Sequence, residues 1–304
     1  MTMQPQTITR REFIRGTAAL SLSSAALAAS AADAAAEPSW QIGCYTRPFD
    51  QHDYLTALDA IAEAGYRYCG IMTAKGKSWV IVTVETTPDE AARVGIEVKQ
   101  RELRALSIYG GDFPVAKSIE AGVAGLTRLI DNCRACGAAN LMLGGIASEK
   151  LYEPYFKVVA ECCPYAASQG IGLSIKPHGG QNATGAQCRK AIELVAHANF
   201  RLWYDPGNIF YYSDGKLDPV EDCATVDGLV VGMSVKDFTP PKEVMVTPGT
   251  GKVDFSKVLS RLKHGGFVRG PLIVECLDRG DLKNTIDQAR KARRFLEEIT
   301  GRGP

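Results

Sequence analysis

From residue 40 onward, short apolar runs alternate with segments whose apolar residues recur every three or four positions. Trp40 to Tyr45 reads as a first strand. Asp53 to Ala64 then places Leu55, Leu58, Ile61 and Ala62 on one helical face. Tyr66 to Met72, Ala105 to Tyr109 and Asn140 to Leu143 are strands two to four. Gly172 to Lys176, Phe200 to Asp205, Leu229 to Lys236 and Pro271 to Glu275 are strands five to eight. Between them lie helical stripes. The clearest is Ile119, Val123, Leu126, Ile130 and Cys133, stepping by fours and threes. Thr87-Pro88-Asp89-Glu90 is a helix start, with a capping Thr, Pro at the first helical position and acids at the positive end of the dipole. Two further helices are expected over Tyr152 to Ser168 and Thr184 to His197, and a short one over Pro219 to Val226. Thr73 to Glu85 carries a β-prone run, Trp79 to Val84, and reads as an insertion forming a hairpin over the barrel mouth.

Alternating strands and helices predict a parallel sheet covered by helices. Eight such units over residues 37–304 predict the α/β class and a closed (β/α)8 TIM barrel as one domain. An open doubly wound sheet would carry a glycine-rich phosphate turn after its first strand. Here that strand runs into Cys44-Tyr45-Thr46-Arg47-Pro48 instead.

The first 36 residues follow a different pattern. Arg10-Arg11-Glu12-Phe13-Ile14 precedes an Ala-, Leu- and Ser-rich run, then the small-residue cleavage signals Ala32-Asp33-Ala34 and Ala34-Ala35-Ala36. This is the order of a secretory signal, and the arginine pair resembles a twin-arginine signal. The expectation is export of a folded chain to the periplasm or beyond by the twin-arginine machinery. A net charge of +1 gives no ground for nucleic acid or an anionic membrane as partner. No stretch after residue 40 is long and apolar enough to span a bilayer. Oligomerisation is left open. The nine cysteines fall mostly in apolar segments and read as buried small hydrophobes; Cys133 and Cys136 form a CxxC without a second pair.

Four consecutive strands end in charged groups: Lys176 with His178, Asp205, Lys236 with Asp237 after Ser234, and Glu275. Charges at the end of a buried strand are expensive unless paired or used, and that edge of a barrel is where catalytic groups sit. Tyr45, Tyr109, Trp203, Phe210 and Tyr211 are candidates to line a sugar pocket, and Arg47 and Lys75 to hold an anionic substituent.

The strand ends, with Asp205-Pro206-Gly207-Asn208 and Gly249-Thr250-Gly251-Lys252-Val253-Asp254-Phe255, resemble the xylose isomerase-like TIM barrels of the sugar phosphate isomerase/epimerase group. That resemblance implies a divalent metal (Mn, Mg or Zn) held by Glu, Asp, His and Glu at the ends of strands five to eight. It implies a carbohydrate substrate and proton transfer next to a carbonyl, which makes isomerase chemistry the expected activity. Asp205 and Glu275 match; Lys176 stands for the first Glu and Ser234 for the His.

Two arrangements remain open. In one, a Lys176-centred ion cluster replaces the metal; in the other, Asp205, Glu275 and His178 hold it. Glu275, Lys176 and His178 are the catalytic candidates. Lys236, Asp237, Asn208, Ser234, Tyr45, Trp203, Arg47 and Tyr109 are the substrate-binding ones. A lyase or aldolase using Lys176 as a Schiff base, and a non-catalytic sugar-binding descendant, are the alternatives.

Overall fold

The computed structural model describes residues 40–301. Eight strands close into a parallel barrel in chain order. They are β1 Trp40–Tyr45, β2 Tyr68–Ile71, β3 Arg104–Tyr109 and β4 Asn140–Leu143. β5 Gly172–Ile175, β6 Phe200–Tyr204, β7 Val230–Val235 and β8 Gly270–Val274 complete it. Closure is made by β1 against β8, from Trp40 opposite Gly270 to Cys44 opposite Val274. Sheet edges are thereby removed, so no strand is left with an open row of backbone donors.

The outer ring holds α1 Tyr54–Glu63, α2 Pro88–Gln100, α3 Ile119–Ala135 and α4 Tyr152–Ser168. α5 Gly185–Val195, α6 Pro206–Tyr212, α7 Pro219–Asp222, α8 Phe255–His264 and α9 Leu282–Ile299 follow. Apart from α4, their starts are set by side-chain caps. Thr87 accepts from the backbone of Glu90 while Glu90 reaches back to Thr87, and Thr184 and Gln187 do the same. Among the described residues no helix is long and apolar enough to cross a membrane.

Two features differ from expectation. Residues 73–85 form a single antiparallel bridge, Thr73 to Val80, instead of a hairpin of two strands. The Asp205-Pro206-Gly207-Asn208 stretch, for which no helix was expected, opens α6: the Asp205 carboxylate caps the Asn208 N–H and Pro206 stands in the first helical turn. The nine cysteines are free and buried, as their apolar setting suggested, and the Cys133 and Cys136 thiols donate to the carbonyls of Ala138 and Ala91. The expected signal peptide lies outside the described residues.

Inside the barrel, Tyr45, Met72, Leu106, Met142, Trp203 and Ile273 pack as a separate apolar layer. The other core lies mainly between sheet and helices. Gly70 leaves room for the Tyr45 ring, which would lie 2.1 Å from a β-carbon there, and Gly232 does so for Trp203 at 2.4 Å. That layer closes the barrel beneath the C-terminal strand ends.

Candidate active site

Each of β5 to β8 is followed at once by an ionisable residue: Lys176, Asp205, Lys236 and Glu275. All four are buried, none more than 2% exposed. They form one crossed cluster. Lys176 Nζ lies 2.6 Å from Glu275 Oε2 and 2.9 Å from Asp205 Oδ2. Lys236 Nζ lies 2.7 Å from Glu275 Oε1 and 3.1 Å from the same Asp205 oxygen. Two cations and two carboxylates neutralise one another, which is what makes such burial tolerable.

The directed hydrogen bonds are fewer than the ion pairs. Lys176 donates to Glu275 Oε2, and Lys236 donates to Asn208 Oδ1 at 3.0 Å. Asp205 Oδ1 accepts from the Asn208 N–H. Asp205 Oδ2 and Glu275 Oε1 are held by charge at short range without an aligned donor. Asn208 also donates from Nδ2 to the Pro177 carbonyl at 2.6 Å, tying the start of α6 to the chain after β5.

Burial alone would raise the Glu275 carboxyl. The charges of Lys176, Lys236 and Arg47 overcome it and hold the group well below the usual carboxylate range. Burial would lower Lys236, but Asp205 and Glu275 outweigh it and keep the ammonium charged. Arg47, on the turn after β1, approaches Glu275 Oε1 at 3.8 Å with about a quarter of its side chain exposed. Around it lie half-buried aromatic groups. The His178 ring sits between Tyr109 and Tyr212, centroids 6.2 and 6.0 Å away. Burial first, then Lys176 and Lys236, push His178 down to about 3, so it is neutral at physiological pH. Burial and the charge of Asp112 raise Tyr109 to about 12.

The structure thus brings together Lys176, Asp205, Glu275 and Asn208, with Arg47, His178 and Tyr109 beside them. Lys236, expected as a substrate contact, is a full member of the ion cluster. Four expected substrate contacts sit elsewhere. Asp237 is wholly buried and spends both oxygens on the loop after β7, accepting from the backbone of Phe238, Gly249, Gly251 and Val253. Adjacent extended residues point to opposite sides, which is why Lys236 and Asp237 part company. Tyr45 and Trp203 belong to the apolar layer below the cluster and are at most 1% exposed. Ser234 is buried beside the Tyr45 phenol. Tyr212, absent from the expected site residues, packs over Gly179 and meets the His178 ring edge-on. Its signal was faint: one more tyrosine at the end of an unforeseen helix.

The residues present do not fit the divalent metal that the resemblance implied. Between Asp205 and Glu275, where a dication would need oxygen or nitrogen lone pairs, stand two ammonium groups with none to give. His178 does not join the carboxylates either. Among the described residues no group of three or more His, Cys, Asp or Glu side chains is arranged to hold a metal ion.

Solved structures of similar shape include D-psicose 3-epimerase from Clostridium cellulolyticum H10 with D-tagatose. It has 11% identity and a TM-score of 0.68, over 86% of this chain and 99% of that one. D-allulose 3-epimerase from Methylomonas sp. in complex with D-allulose has 18% identity and a TM-score of 0.67, over 86% and 97%. At these identities the likeness is one of fold. Among curated relatives, inosose dehydratase of Klebsiella pneumoniae is 26% identical over 154 residues, 45% of this chain and 51% of its own. A probable L-ribulose-5-phosphate 3-epimerase of Mycoplasma pneumoniae is 26% identical over 156 residues, 50% of this chain and 49% of its own. The chain spans about half the length of the curated relatives it matches. Residues 58–299 match the xylose isomerase-like TIM barrel family, and with more than half of the chain so covered, the protein belongs to that family.

Proposed function

We propose that this protein is an exported isomerase or epimerase of a keto-sugar, in which the paired ammonium groups of Lys176 and Lys236 take the electrostatic part of a divalent metal. The observation that carries the reading is the crossed contact of both lysines with Asp205 and Glu275, at 2.6 to 3.1 Å, at the catalytic edge of the barrel. The relatives named as a 3-epimerase and an inosose dehydratase support it. Both kinds of reaction can begin by loss of a proton from carbon next to a carbonyl.

In the proposed step the C–H proton passes to Glu275, the C–H electron pair becomes a C=C bond to the carbonyl carbon, and the carbonyl π pair moves to the oxygen, giving an enolate. Lys176 stabilises that oxygen as its charge develops. Glu275 is a weak base while Lys176 holds it. When the ammonium turns to the substrate oxygen, the carboxylate loses its nearest counter-charge and its proton affinity rises. His178, neutral and half-buried, is placed to exchange a proton on another side of the substrate. Asn208 and Tyr109 position the hydroxyls.

Solvent exchange tests this directly. A panel of ketoses and inososes is incubated with the protein in D2O with EDTA present, and deuterium at the carbon next to the carbonyl is followed by NMR. Incorporation that disappears in Glu275→Gln is expected. Absence of incorporation across the panel, with binding retained in both forms, would instead establish a non-catalytic sugar-binding barrel. That second reading draws on the closed, self-neutralised state of the cluster. Export belongs to the same proposal: replacing Arg10 and Arg11 by Lys should leave the unprocessed precursor in the cytoplasm, and unchanged secretion would remove the export claim.

A further inference from the structure

We propose that the substrate is an acidic sugar carrying one carboxylate, bound through Arg47. This rests on the sugar reading above and narrows it. Lys176 and Lys236 cancel Asp205 and Glu275 within the buried cluster. Arg47 then adds one unmatched positive charge, 3.8 Å from Glu275 Oε1, which is too long for a hydrogen bond. Neither of the other nearby carboxylates pairs with it. Asp237 is turned into the loop after β7 and held by four backbone N–H groups. Asp50, on the turn beside Arg47, does act on the guanidinium, but more weakly than Glu275 or Asp205; it is partly open to solvent, makes no ion pair with Arg47, and accepts from Gln51 at 3.2 Å.

A guanidinium has five donors in a fixed fork that suits a carboxylate in two parallel bonds. Among the described residues, the long approach to Glu275 is the one ionic contact that Arg47 makes, so the fork is open. It is anchored at its base by the turn that Pro48 and Phe49 form, so the donors stand at the barrel mouth without a large entropic loss on binding. A single carboxylate brings the five-charge site to neutrality. A phosphoryl group, with nearly two negative charges, would leave an uncompensated anion against the buried carboxylates. A neutral sugar would leave Arg47 unmatched.

The test uses three ketose probes that differ only in their terminal group: D-fructose, D-fructose 6-phosphate and D-fructuronate. Binding to the full chain is measured by calorimetry for the wild type, Arg47→Gln and Lys75→Gln. The expected result is tighter binding of D-fructuronate than of either other probe, by about tenfold or more. Arg47→Gln should bring its affinity down to that of D-fructose and leave D-fructose itself unmoved. Lys75→Gln, the loss of an exposed rim cation, should keep the preference. Equal affinities for all three, or tightest binding of the phosphate, would overturn the carboxylate assignment while leaving the sugar reading intact. A preference that survives Arg47→Gln would overturn the role of Arg47. Failure of every probe to bind, joined to failure of solvent exchange across the wider panel, would overturn both.

Discussion

Lys176 Nζ and Glu275 Oε2 meet at 2.6 Å, although the two residues stand 99 positions apart in the chain. The contact joins the end of β5 to the end of β8 across the barrel mouth. Removing Lys176 leaves two buried carboxylates facing the single ammonium of Lys236, and an uncompensated buried charge in proteins generally costs about 3–5 kcal/mol. Lys176→Met should therefore lower stability by about that much at neutral pH. The double variant Lys176→Met with Glu275→Leu should recover a large part, because it removes both charges. A chemical-denaturation cycle over the four proteins measures the coupling. Additive losses would show that the pair does not act as a unit.

Acid should weaken the fold through His178. Its imidazole is neutral in the folded protein down to about pH 3, whereas the unfolded chain takes up the proton near the ordinary value of about 6.5. The unfolded state binds more protons in that window, so this contribution is full above about pH 6.5 and is lost as pH falls. Asp222 works in the opposite sense. Burial pushes it up to about 6, despite the hydrogen bonds it accepts from the Gly185 N–H and the Tyr204 hydroxyl. Its contribution is greatest below about pH 4 and falls as pH rises to about 6. Melting curves of His178→Asn and Asp222→Asn between pH 4 and 7 should differ from the wild type with slopes of opposite sign. Parallel curves would contradict both assignments.

Neither lysine stands ready as a Schiff-base nucleophile. Lys236 is held charged by Asp205 and Glu275, and Lys176 has carboxylate oxygens at 2.6 and 2.9 Å. A lone pair would be won only by stripping two buried carboxylates of a counter-charge. Borohydride reduction in the presence of a keto-sugar should leave the intact mass unchanged. A stoichiometric adduct on Lys176 would revive the lyase reading.

The apolar layer below the cluster sets its height. A methyl group at Gly70 would stand 2.1 Å from the Tyr45 ring, and Tyr45 lies next beneath Glu275, whose charge helps to raise its phenol. Gly70→Ala should cost about 1–3 kcal/mol through overpacking. It should also weaken sugar binding by shifting Tyr45 against Glu275. Loss of stability with unaltered affinity would show that the layer carries no positional information to the site.

Much of this architecture can be read from the chain. The eight strands fall where short apolar runs end in Gly, Pro or charge, and the capped starts at Thr87 and Thr184 are local signals that tertiary structure leaves alone. α6 was hidden because Pro206, Gly207 and Asn208 are turn-forming residues. A capping Asp followed by Pro at the first helical position was the cue that pointed the other way. The same limit applies at the site. Lys176, Asp205 and Glu275 announce themselves as charges ending strands. The pairing of Lys236 with both carboxylates depends on barrel closure, which no local pattern reports. Parity did carry a hint, since Lys236 shares its side of β7 with the buried Ser234 and occupies the same post-strand position as Lys176. Trp203 has the inward parity expected of a pocket residue, but parity does not give depth, and it lies a layer too low.

The central claim is that two ammonium groups, not a metal ion, stand between Asp205 and Glu275. The direct measurement is elemental analysis of the mature protein purified without chelator, beside Asp205→Ala, with melting followed with and without EDTA. The account predicts substoichiometric metal in both proteins and a wild-type melting temperature that EDTA does not move. About one divalent ion per chain, lost in Asp205→Ala and removed by EDTA with loss of stability, would contradict it and restore a metal centre at this site.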